Sequence, residues 1–416
     1  MSRYVIVGGK RLTGNVKIES AKNAVLPLLA GAILTDEDVV IKNCPKIHDV
    51  LSMIKILKKL GCKAEFFDDN LLINSSTINS YTIPSVLTKE LRSSIFMLGA
   101  LISRLKKARI SYPGGCEIGL RPIDIHLSAL RKLGVDVTDV SGEIICLAHN
   151  IKCDEVYLDF PSVGATENII LASVFNHGET VIRNSAKEPE IEDLIKFLNS
   201  MGAKITGGGS ETIRIQGVKT LHGTEYLPMP DRIEAGTFLI SALMTGGDIE
   251  IHNCKHENIL SIIHKFCNNT CKIDTFNDII HVKGERHLKS FSLTTSPYPG
   301  FPTDMQAQAM ALATISVGTS FITENIFEMR FKHASELRKM GADITLCGRM
   351  AIVNGVKALS GAEVFAEDLR GGASLVLAGL SADGQTIVND IHHIERGYLD
   401  MDKKLRSLGA DIVKIE

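Results

Sequence analysis

A short pattern of apolar and polar positions recurs along the chain and predicts a repeated structural unit. In each copy two apolar residues lie three positions apart, with basic or small polar residues between them, and a glycine follows directly. The apolar pair shares one face of a helix, basic residues suit a helix C-terminus, and glycine accepts the left-handed conformation that ends many helices. Copies occur at residues 57–63, 130–136, 198–204, 337–343 and 405–411, and a degenerate copy occurs at 266–272.

The six copies recur with a period of about 70 residues, which is longer than the common solenoid repeats. A short apolar segment follows each glycine, for example at 204–206, 343–346 and 411–415, and is predicted to form a strand. In most units a further helix is predicted to begin at small residues such as 165–168 and 373–376. Each unit is therefore a mixed helix and strand module in which helices pack on a small sheet.

Two prolines at 228 and 230 predict a boundary between the third and fourth units. The predicted fold class is therefore α/β, with three units in each of two halves. The N-terminal strand from Tyr4 to Val7 is left over, and we expect it to complete the second half.

Composition narrows the class of protein. The chain has 416 residues, 44% hydrophobic and 23% charged, which is ordinary for a soluble globular protein, and its net charge of -2 does not favour nucleic acid or an anionic membrane. We expect neither a signal peptide nor a membrane span. The nine cysteines lack a disulfide spacing, which indicates free thiols in a reducing cytoplasm. Cys267 and Cys271 lack a second ligand pair, so no metal site is predicted.

One thiol stands out because of its setting. Cys116 follows two glycines in a segment rich in glycine and proline, which excludes a regular helix or central strand. Arg121 follows five residues later, and nearby positive charge favours the reactive thiolate form. Either Cys116 is a reactive cysteine on an exposed loop, or it is incidental to a surface turn.

Three further positions are candidates for ligand binding. Lys22 is predicted near a helix N-terminus, where it could bind an anion or simply be solvated. Arg92 lies in an apolar segment, 91–99, predicted to be helical, so it requires a ligand or a structural ion pair. Asp304 is predicted at a helix start, where it could act chemically or cap the helix.

The remaining candidates are arginines in successive units of the second half. Arg330, Arg370 and Arg396 could be surface ion pairs or, if the repeats place them at equivalent ends, could bind a polyanion together. A thiol, a carboxylate, a lysine and several arginines suit a small ligand that carries phosphate and carboxylate. No Gly-rich nucleotide-binding motif supports an ATP or dinucleotide site.

These motifs together resemble those of the UDP-N-acetylglucosamine 1-carboxyvinyltransferases, a branch of the enolpyruvyl transferase family, over essentially the whole chain. The segments that carry the resemblance are 20–24, 113–119, 121–126, 162–166, 230–237, 301–308, 368–370 and 393–398. The resemblance implies a two-domain inside-out α/β barrel with three βαβαββ repeats in each domain. The first domain would be 22–229, with the cysteine loop, and the second would be 1–21 plus 230–416.

The resemblance implies transfer of the enolpyruvyl group of phosphoenolpyruvate to the 3-hydroxyl of UDP-N-acetylglucosamine, by addition and elimination with release of phosphate. In the family this reaction opens peptidoglycan synthesis in the cytoplasm. No cofactor, metal, nucleic acid or membrane is implied, and we predict a monomer. The alternatives are a 5-enolpyruvylshikimate-3-phosphate synthase, which shares the fold and the donor, and a non-catalytic sugar-nucleotide binder.

Roles are carried over from the family by motif. Cys116 would protonate C3 of phosphoenolpyruvate and react with fosfomycin, and Asp304 would be the base toward the sugar hydroxyl. The phosphate would be bound by Lys22, Arg121 and Arg396, and the carboxylate by Arg330 and Arg370. The implied sugar-nucleotide contacts are Asn23, Arg92, Arg121, Pro122, Ile123, Asp124, Ile125, Ser162, Val163, Gly164 and Ile326. His48 and Phe160 stand where family members often carry lysine.

Overall fold

The computed structural model describes residues 2–114, 123–149, 151–152, 154–267, 271–285 and 288–416. Helices and short strands are interspersed along these residues. The α-helices are α1 (Lys22–Gly31), α2 (His48–Lys59), α3 (Ser85–Glu90), α4 (Met97–Leu105), α5 (Asp124–Lys132), α6 (Val163–Ser173), α7 (Pro189–Ser200), α8 (Arg232–Thr245), α9 (Leu260–Phe266), α10 (Gln306–Thr314), α11 (His333–Lys339), α12 (Leu369–Ser381) and α13 (Met401–Ser407). Short 3₁₀ helices occur at Ala32–Leu34, Arg92–Phe96, His256–Ile259, Thr303–Met305 and Ile391–Arg396.

The strands are short and number from β1 to β23 in chain order. They are β1 (Arg3–Val7), β2 (Thr13–Lys17), β3 (Val39–Ile41), β4 (Lys63–Phe67), β5 (Asn70–Asn74), β6 (Lys107–Ser111), β7 (Asp136–Val140), β8 (Glu143–Leu147), β9 (Glu155–Tyr157), β10 (Glu179–Arg183), β11 (Lys204–Thr206), β12 (Thr212–Gln216), β13 (Thr224–Tyr226), β14 (Asp248–His252), β15 (Cys271–Phe276), β16 (Ile279–Gly284), β17 (Ser292–Thr294), β18 (Thr319–Thr323), β19 (Asp343–Cys347), β20 (Met350–Asn354), β21 (Glu363–Phe365), β22 (Gln385–Asn389) and β23 (Asp411–Ile415).

These strands form six small sheets with one common pattern. The strand orders are β13-β3-β5-β4, β6-β8-β7, β11-β12-β10-β9, β15-β16-β14-β2, β17-β18-β20-β19 and β21-β22-β1-β23. Three strands are antiparallel in every sheet, and five sheets add a parallel strand at one edge. In the β6-β8-β7 sheet, an isolated parallel bridge from Thr82 to Arg109 occupies the equivalent position.

Three of the sheets follow the predicted βαβαββ order along the chain, whereas the sheets that contain β13 and β1 each take one strand from a distant part of the chain. The clearest copy runs β17, α10, β18, α11, β19 and β20. The repeated glycines end a helix and precede a strand, as predicted, and the structure places that strand at the edge of its sheet. Gly61, Gly134, Gly202, Gly341 and Gly409 all have positive φ, between 81° and 103°, a conformation that disfavours residues with a Cβ.

The N-terminal strand β1 completes the last repeat. It lies between β22 and β23 and is antiparallel to both, with Tyr4 opposite Val388 and Lys414. Tyr4 and Ile6 point to the buried side, while Arg3 and Val7 are exposed. The prediction that this strand completes the second half is confirmed.

The described chain divides into two compact units. The first unit contains all the described residues from 20 to 229, and the second contains the described residues of 2–19 and 230–416. In the second unit, α8, α10 and α12 pack against one another and are buried almost throughout, with the three sheets outside them. The assignment of the domains as 22–229 and 1–21 plus 230–416 stays a prediction.

The segment 91–99 differs from the predicted single helix. It is a 3₁₀ helix, Arg92–Phe96, that continues into α4. The amide of Asn168, from α6, lies between two groups that a regular α-helix would join. Its Nδ2 donates to the carbonyl of Ile95 at 3.1 Å, and its Oδ1 accepts from the N–H of Gly99 at 2.8 Å. An inserted side chain of this kind breaks the helical hydrogen-bond ladder.

Candidate active site

Within each unit, several of the predicted site residues lie at or just before the N-terminal turns of central helices. In the first unit, Lys22 is the first residue of α1, Arg92 begins a 3₁₀ helix before α4, and Ser162 caps α6. In the second unit, Asp304 lies in the 3₁₀ turn before α10, and Arg370 is the second residue of α12. Helix N-termini present unpaired N–H groups and partial positive charge, which suits anions.

Asp304 lies between two buried guanidinium groups in the second unit. Arg330 Nη2 donates to Asp304 Oδ1 at 2.7 Å, and Arg370 Nη2 and Nε reach Oδ2 at 3.0 and 3.3 Å. The arginine side chains are only 5% and 3% exposed, whereas the Asp304 side chain is 26% exposed. Pro302 is the N-cap residue and supplies no side-chain hydrogen bond. The alternative that Asp304 is a helix cap is therefore wrong.

A buried glutamate holds the surroundings of Arg330 in place. Arg330 Nη1 donates to Thr303 Oγ1 at 2.7 Å, and that hydroxyl donates to Glu324 Oε2 at 2.8 Å. Glu324 Oε1 accepts from the backbone N–H of Ile326 at 2.8 Å and from Phe327 at 3.0 Å. The loop that carries Ile326 is thus fixed to the same network as Arg330.

Both arginines retain donors that could bind an anion. Arg330 Nε and Arg370 Nη1 are buried and have no hydrogen-bond partner among the residues described. Burial acts to lower the pKa of Arg370, but the negative charges that Tyr398 and Asp304 can carry raise it above the usual value. Asp368 orients the start of this helix, because its Oδ1 accepts from the backbone N–H groups of Arg370 and Gly371, both at 2.9 Å.

Arg396 lies in the second unit, in the segment that follows β22. It is the last residue of the 3₁₀ helix Ile391–Arg396 and is partly buried. Burial, then His392, then the positive charge of Arg396 lower the pKa of His393. Arg396 therefore lies close enough to His393 for its positive charge to disfavour protonation of that imidazole.

Lys22 is paired within the first unit. Its Nζ lies 3.2 Å from Asp49 Oδ2, and the two side chains are 13% and 2% exposed. A lysine at the first position of a helix opposes the helix dipole, which favours anions there. Asp49, in the first turn of α2, compensates that charge, so the solvated lysine of the alternative interpretation is not observed. Asn23, the next residue, is partly buried.

Arg92 also has a partner in the first unit. Its Nη1 donates to the carbonyl of Pro113 at 3.2 Å. Cys116, Arg121 and Pro122 fall outside the described residues, so their predicted roles stay predictions. Beyond that gap Ile123 is buried, Asp124 is exposed at the start of α5, and Ile125 is partly buried.

The start of α6 is closely packed. Ser162 Oγ accepts from the N–H of Ala165 at 3.4 Å, and Val163 and Gly164 form the first turn, partly exposed. A Cβ at Gly164 would lie 2.8 Å from Cε1 of His126, so only glycine fits there without a shift. The two departures from the family, His48 and Phe160, are both exposed on this unit.

Similarity to known proteins shows which family this chain belongs to. A family model described as EPSP synthase (3-phosphoshikimate 1-carboxyvinyltransferase) matches residues 6–405. UDP-N-acetylglucosamine 1-carboxyvinyltransferase 2 of Caldanaerobacter subterraneus subsp. tengcongensis is 50% identical over 416 residues, 100% of both chains. The protein of the same name from Clostridium tetani is 48% identical over 417 residues, again 100% of both. The chain belongs to the enolpyruvyl transferase family. The family predicted from the motifs is confirmed.

Solved structures share the fold of this enolpyruvyl transferase. The enolpyruvyl transferase NikO from Streptomyces tendae superposes with a TM-score of 0.89 at 24% identity, covering 99% of this chain and 98% of that one. An EPSP synthase from Acinetobacter baumannii gives a TM-score of 0.78 at 18% identity, covering 100% of both. The predicted two-domain α/β fold class is confirmed.

Sequence reasoning missed two residues of this transferase that support the site. Asp49 pairs with Lys22, and Glu324 organises the Thr303 and Ile326 segments. Asp49 has the pattern of an ordinary acidic residue in the first turn of a helix, and nothing in the residues around Glu324 indicates its contacts. Both roles depend on contacts between segments that are distant in the chain, and a single sequence does not display such contacts.

In the described ranges, no group of three or more His, Cys, Asp or Glu is placed to hold a metal ion. No helix within those ranges is both long and apolar enough to cross a membrane.

Proposed function

We propose that this protein transfers the enolpyruvyl group of phosphoenolpyruvate to the 3-hydroxyl of UDP-N-acetylglucosamine and releases phosphate. The observation that carries the proposal is the Asp304 carboxylate held between the buried guanidinium groups of Arg330 and Arg370. That arrangement combines a base with donors for a small carboxylate. The names of relatives that are 48–50% identical over the whole chain support the sugar nucleotide as acceptor.

Arg330 and Arg370 bind the carboxylate of phosphoenolpyruvate. Arg330 Nε and Arg370 Nη1 are buried and lack partners among the described residues. Without a ligand these N–H groups would stay unpaired, at a cost of about 1–3 kcal/mol each. Lys22, Arg121 and Arg396 bind the phosphate group, whose charge suits the cationic side chains. These cations also stabilise the anionic tetrahedral ketal that forms when the acceptor adds to the donor.

Asp304 changes partner during the reaction. In the free protein the two arginines stabilise its anionic form and so weaken it as a base. The donor carboxylate competes for the same guanidinium groups, and Asp304 then has fewer cationic contacts and a higher proton affinity. It accepts the proton of the 3-hydroxyl as the sugar oxygen bonds to C2 of the donor.

Cys116 supplies the other proton. It protonates C3 of phosphoenolpyruvate, which makes C2 electrophilic toward the sugar oxygen. Loss of a proton from C3 and of phosphate from C2 then restores the double bond. The sugar nucleotide is bound by Asn23, Arg92, Arg121 to Ile125, Ser162 to Gly164 and Ile326, and we propose that the enzyme acts as a monomer in the cytoplasm without a cofactor.

Phosphate release provides the test. We expect release from phosphoenolpyruvate when UDP-N-acetylglucosamine is present and none with the donor alone. Turnover with shikimate 3-phosphate instead would identify the alternative acceptor, the one named in the description of the matching family model. Binding of UDP-N-acetylglucosamine without phosphate release would contradict an enzymatic role and favour a sugar-nucleotide binder.

A further inference from the structure

Three signature segments end in residues that the proposed chemistry does not use. Thr237 ends the 230–237 segment, Gln308 ends 301–308, and Tyr398 ends 393–398. Thr237 lies on α8, Gln308 on α10, and Tyr398 follows the 3₁₀ helix Ile391–Arg396. Each comes from a different repeat of the second unit, and the structure brings their side chains together.

The three polar groups form a closed, buried triangle. Thr237 Oγ1 lies 2.8 Å from the hydroxyl of Tyr398, and Gln308 Nε2 donates to Thr237 Oγ1 at 3.1 Å and to Tyr398 at 3.2 Å. Thr237 and Gln308 are fully buried, and Tyr398 is 2% exposed. These mutual hydrogen bonds hold the three side chains in one arrangement, while Oε1 of Gln308 is buried without a hydrogen-bond partner among the described residues.

Donor counting fixes the direction of these bonds. Thr237 has one hydroxyl proton, which it donates to the carbonyl of Ile233 at 2.8 Å. The Tyr398 hydroxyl must then donate to Thr237 Oγ1, while the Gln308 amide donates to both oxygens. Tyr398 therefore has its hydroxyl held from two helices, and its ring has little freedom to turn.

The ring of Tyr398 contacts one of the proposed donor-binding arginines. The guanidinium carbon of Arg370 lies 5.2 Å from the ring centroid, within the range of a cation–π contact. Two nitrogens of the same guanidinium bind Asp304 Oδ2. The ring and the carboxylate thus constrain Arg370 together, and the angle of the guanidinium plane depends on where Tyr398 is held.

We infer that Thr237, Gln308 and Tyr398 form a positioning cluster that orients the Arg370 guanidinium for the carboxylate of the enolpyruvyl donor. The cluster does not touch the donor and acts through Arg370. This inference rests on the proposed function for the identity of the donor, whereas the effect on Arg370 can be measured without turnover.

The kinetic test removes one hydroxyl at a time. Tyr398→Phe keeps the ring over Arg370 but loses its anchor, and Thr237→Val removes the acceptor, while Thr237→Ser retains it. We expect the first two to raise the KM for phosphoenolpyruvate about three- to tenfold, the effect of one lost hydrogen bond, and to leave the KM for UDP-N-acetylglucosamine within about twofold. Thr237→Ser should restore most of the donor affinity. If Tyr398→Phe does not fold, the two threonine variants carry the test.

The matched control is Tyr4→Phe. Tyr4 is also buried in the second unit, on β1, and has no part in the network. Its variant should leave both KM values unchanged even if it lowers the melting temperature. Equal changes in both KM values for Tyr398→Phe, or donor KM values unchanged in Tyr398→Phe and Thr237→Val, would overturn the inference.

The second readout is ¹⁵N relaxation of the Arg370 Nε–H group, assigned by its loss in Arg370→Lys. We expect a lower order parameter in Tyr398→Phe than in the wild type and no change in Tyr4→Phe. An Arg370 group that stays equally ordered in Tyr398→Phe would refute the positioning role. Absence of phosphate release by the wild type would instead refute the proposed function, and the relaxation measurement would still decide whether the cluster orients Arg370.

Discussion

Substitution of Asp304 by alanine tests the centre of the proposed site. It removes three charge-assisted hydrogen bonds and leaves Arg330 and Arg370, 5% and 3% exposed, without the carboxylate that compensates them. Removing one partner from a buried ion pair costs about 3–5 kcal/mol, and we expect about 3 kcal/mol here because Asp304 itself is partly accessible to water. For a unit of about 200 residues, that loss lowers the melting temperature by roughly 6–12 °C.

Calorimetry at low ionic strength measures the loss, and Glu328→Ala is the matched control. Glu328 pairs with Arg349 at 3.3 Å in the same unit, but the two side chains are 57% and 50% exposed. Such a surface pair contributes little, so the control should shift the melting temperature by less than about 3 °C. Asp304→Asn, which keeps one acceptor oxygen, should fall between the two.

The same variant separates charge compensation from catalysis. Phosphoenolpyruvate should raise the melting temperature of Asp304→Ala more than that of the wild type, because the donor no longer competes with Asp304 for the arginines. Phosphate release should nevertheless fall by about 10²–10⁴, the usual contribution of a general base. A melting temperature equal to that of the wild type, or retained turnover, would refute the reasoning about Asp304.

Three further predictions concern single residues. Burial, then Glu190 and Glu188, raise the pKa of Glu167 well above 4.5, so its folded form stays neutral while the unfolded form ionises. Glu167→Gln should therefore stabilise the protein increasingly as the pH rises above about 4.5 in urea titrations, and a constant difference would contradict this. Burial, opposed by Asp368 and reinforced by Arg330, lowers the pKa of His333 from 6.5 to about 4. The free energy of unfolding should therefore decrease as the pH falls from 6.5 toward 4. Thermal melts should show a smaller decrease for His333→Gln than for the wild type. Cys116→Ser should lose most turnover and all covalent labelling by fosfomycin, whereas normal labelling seen by mass spectrometry would exclude the role of Cys116.

The fold was predictable because its repeats carry local signals. A glycine such as Gly341 ends a helix by a backbone requirement that sequence displays directly. The regular spacing of these caps indicated the order of helices and strands in each repeat. The remaining strand β1 pairs with β22 and β23 and so completes the last sheet. Segment 91–99 was predicted less well because its helix is broken by Asn168, about seventy residues away in the chain.

The site was predictable in its residue types but not in its contacts. An arginine in an apolar segment must have a partner, yet nothing local to Arg92 indicates that the partner is the carbonyl of Pro113. Likewise, an aspartate at a helix start is most often a cap, and only the positions of Arg330 and Arg370 show that Asp304 has a different role. Contacts between distant segments decide these cases, and a single sequence does not display them.

The three repeats of the second unit use an aspartate at equivalent helix starts in different ways. Asp231 accepts from the N–H groups of Ile233 and Glu234 at the start of α8, and Asp368 does the same at α12. Asp304 stands at the start of the third central helix and binds arginines instead, so that helix begins with a 3₁₀ turn and no side-chain cap. A missing cap costs about 1 kcal/mol, which the two capped helices packed beside it can offset. Repetition thus lets one repeat use a stabilising position for chemistry while the other two keep the unit folded.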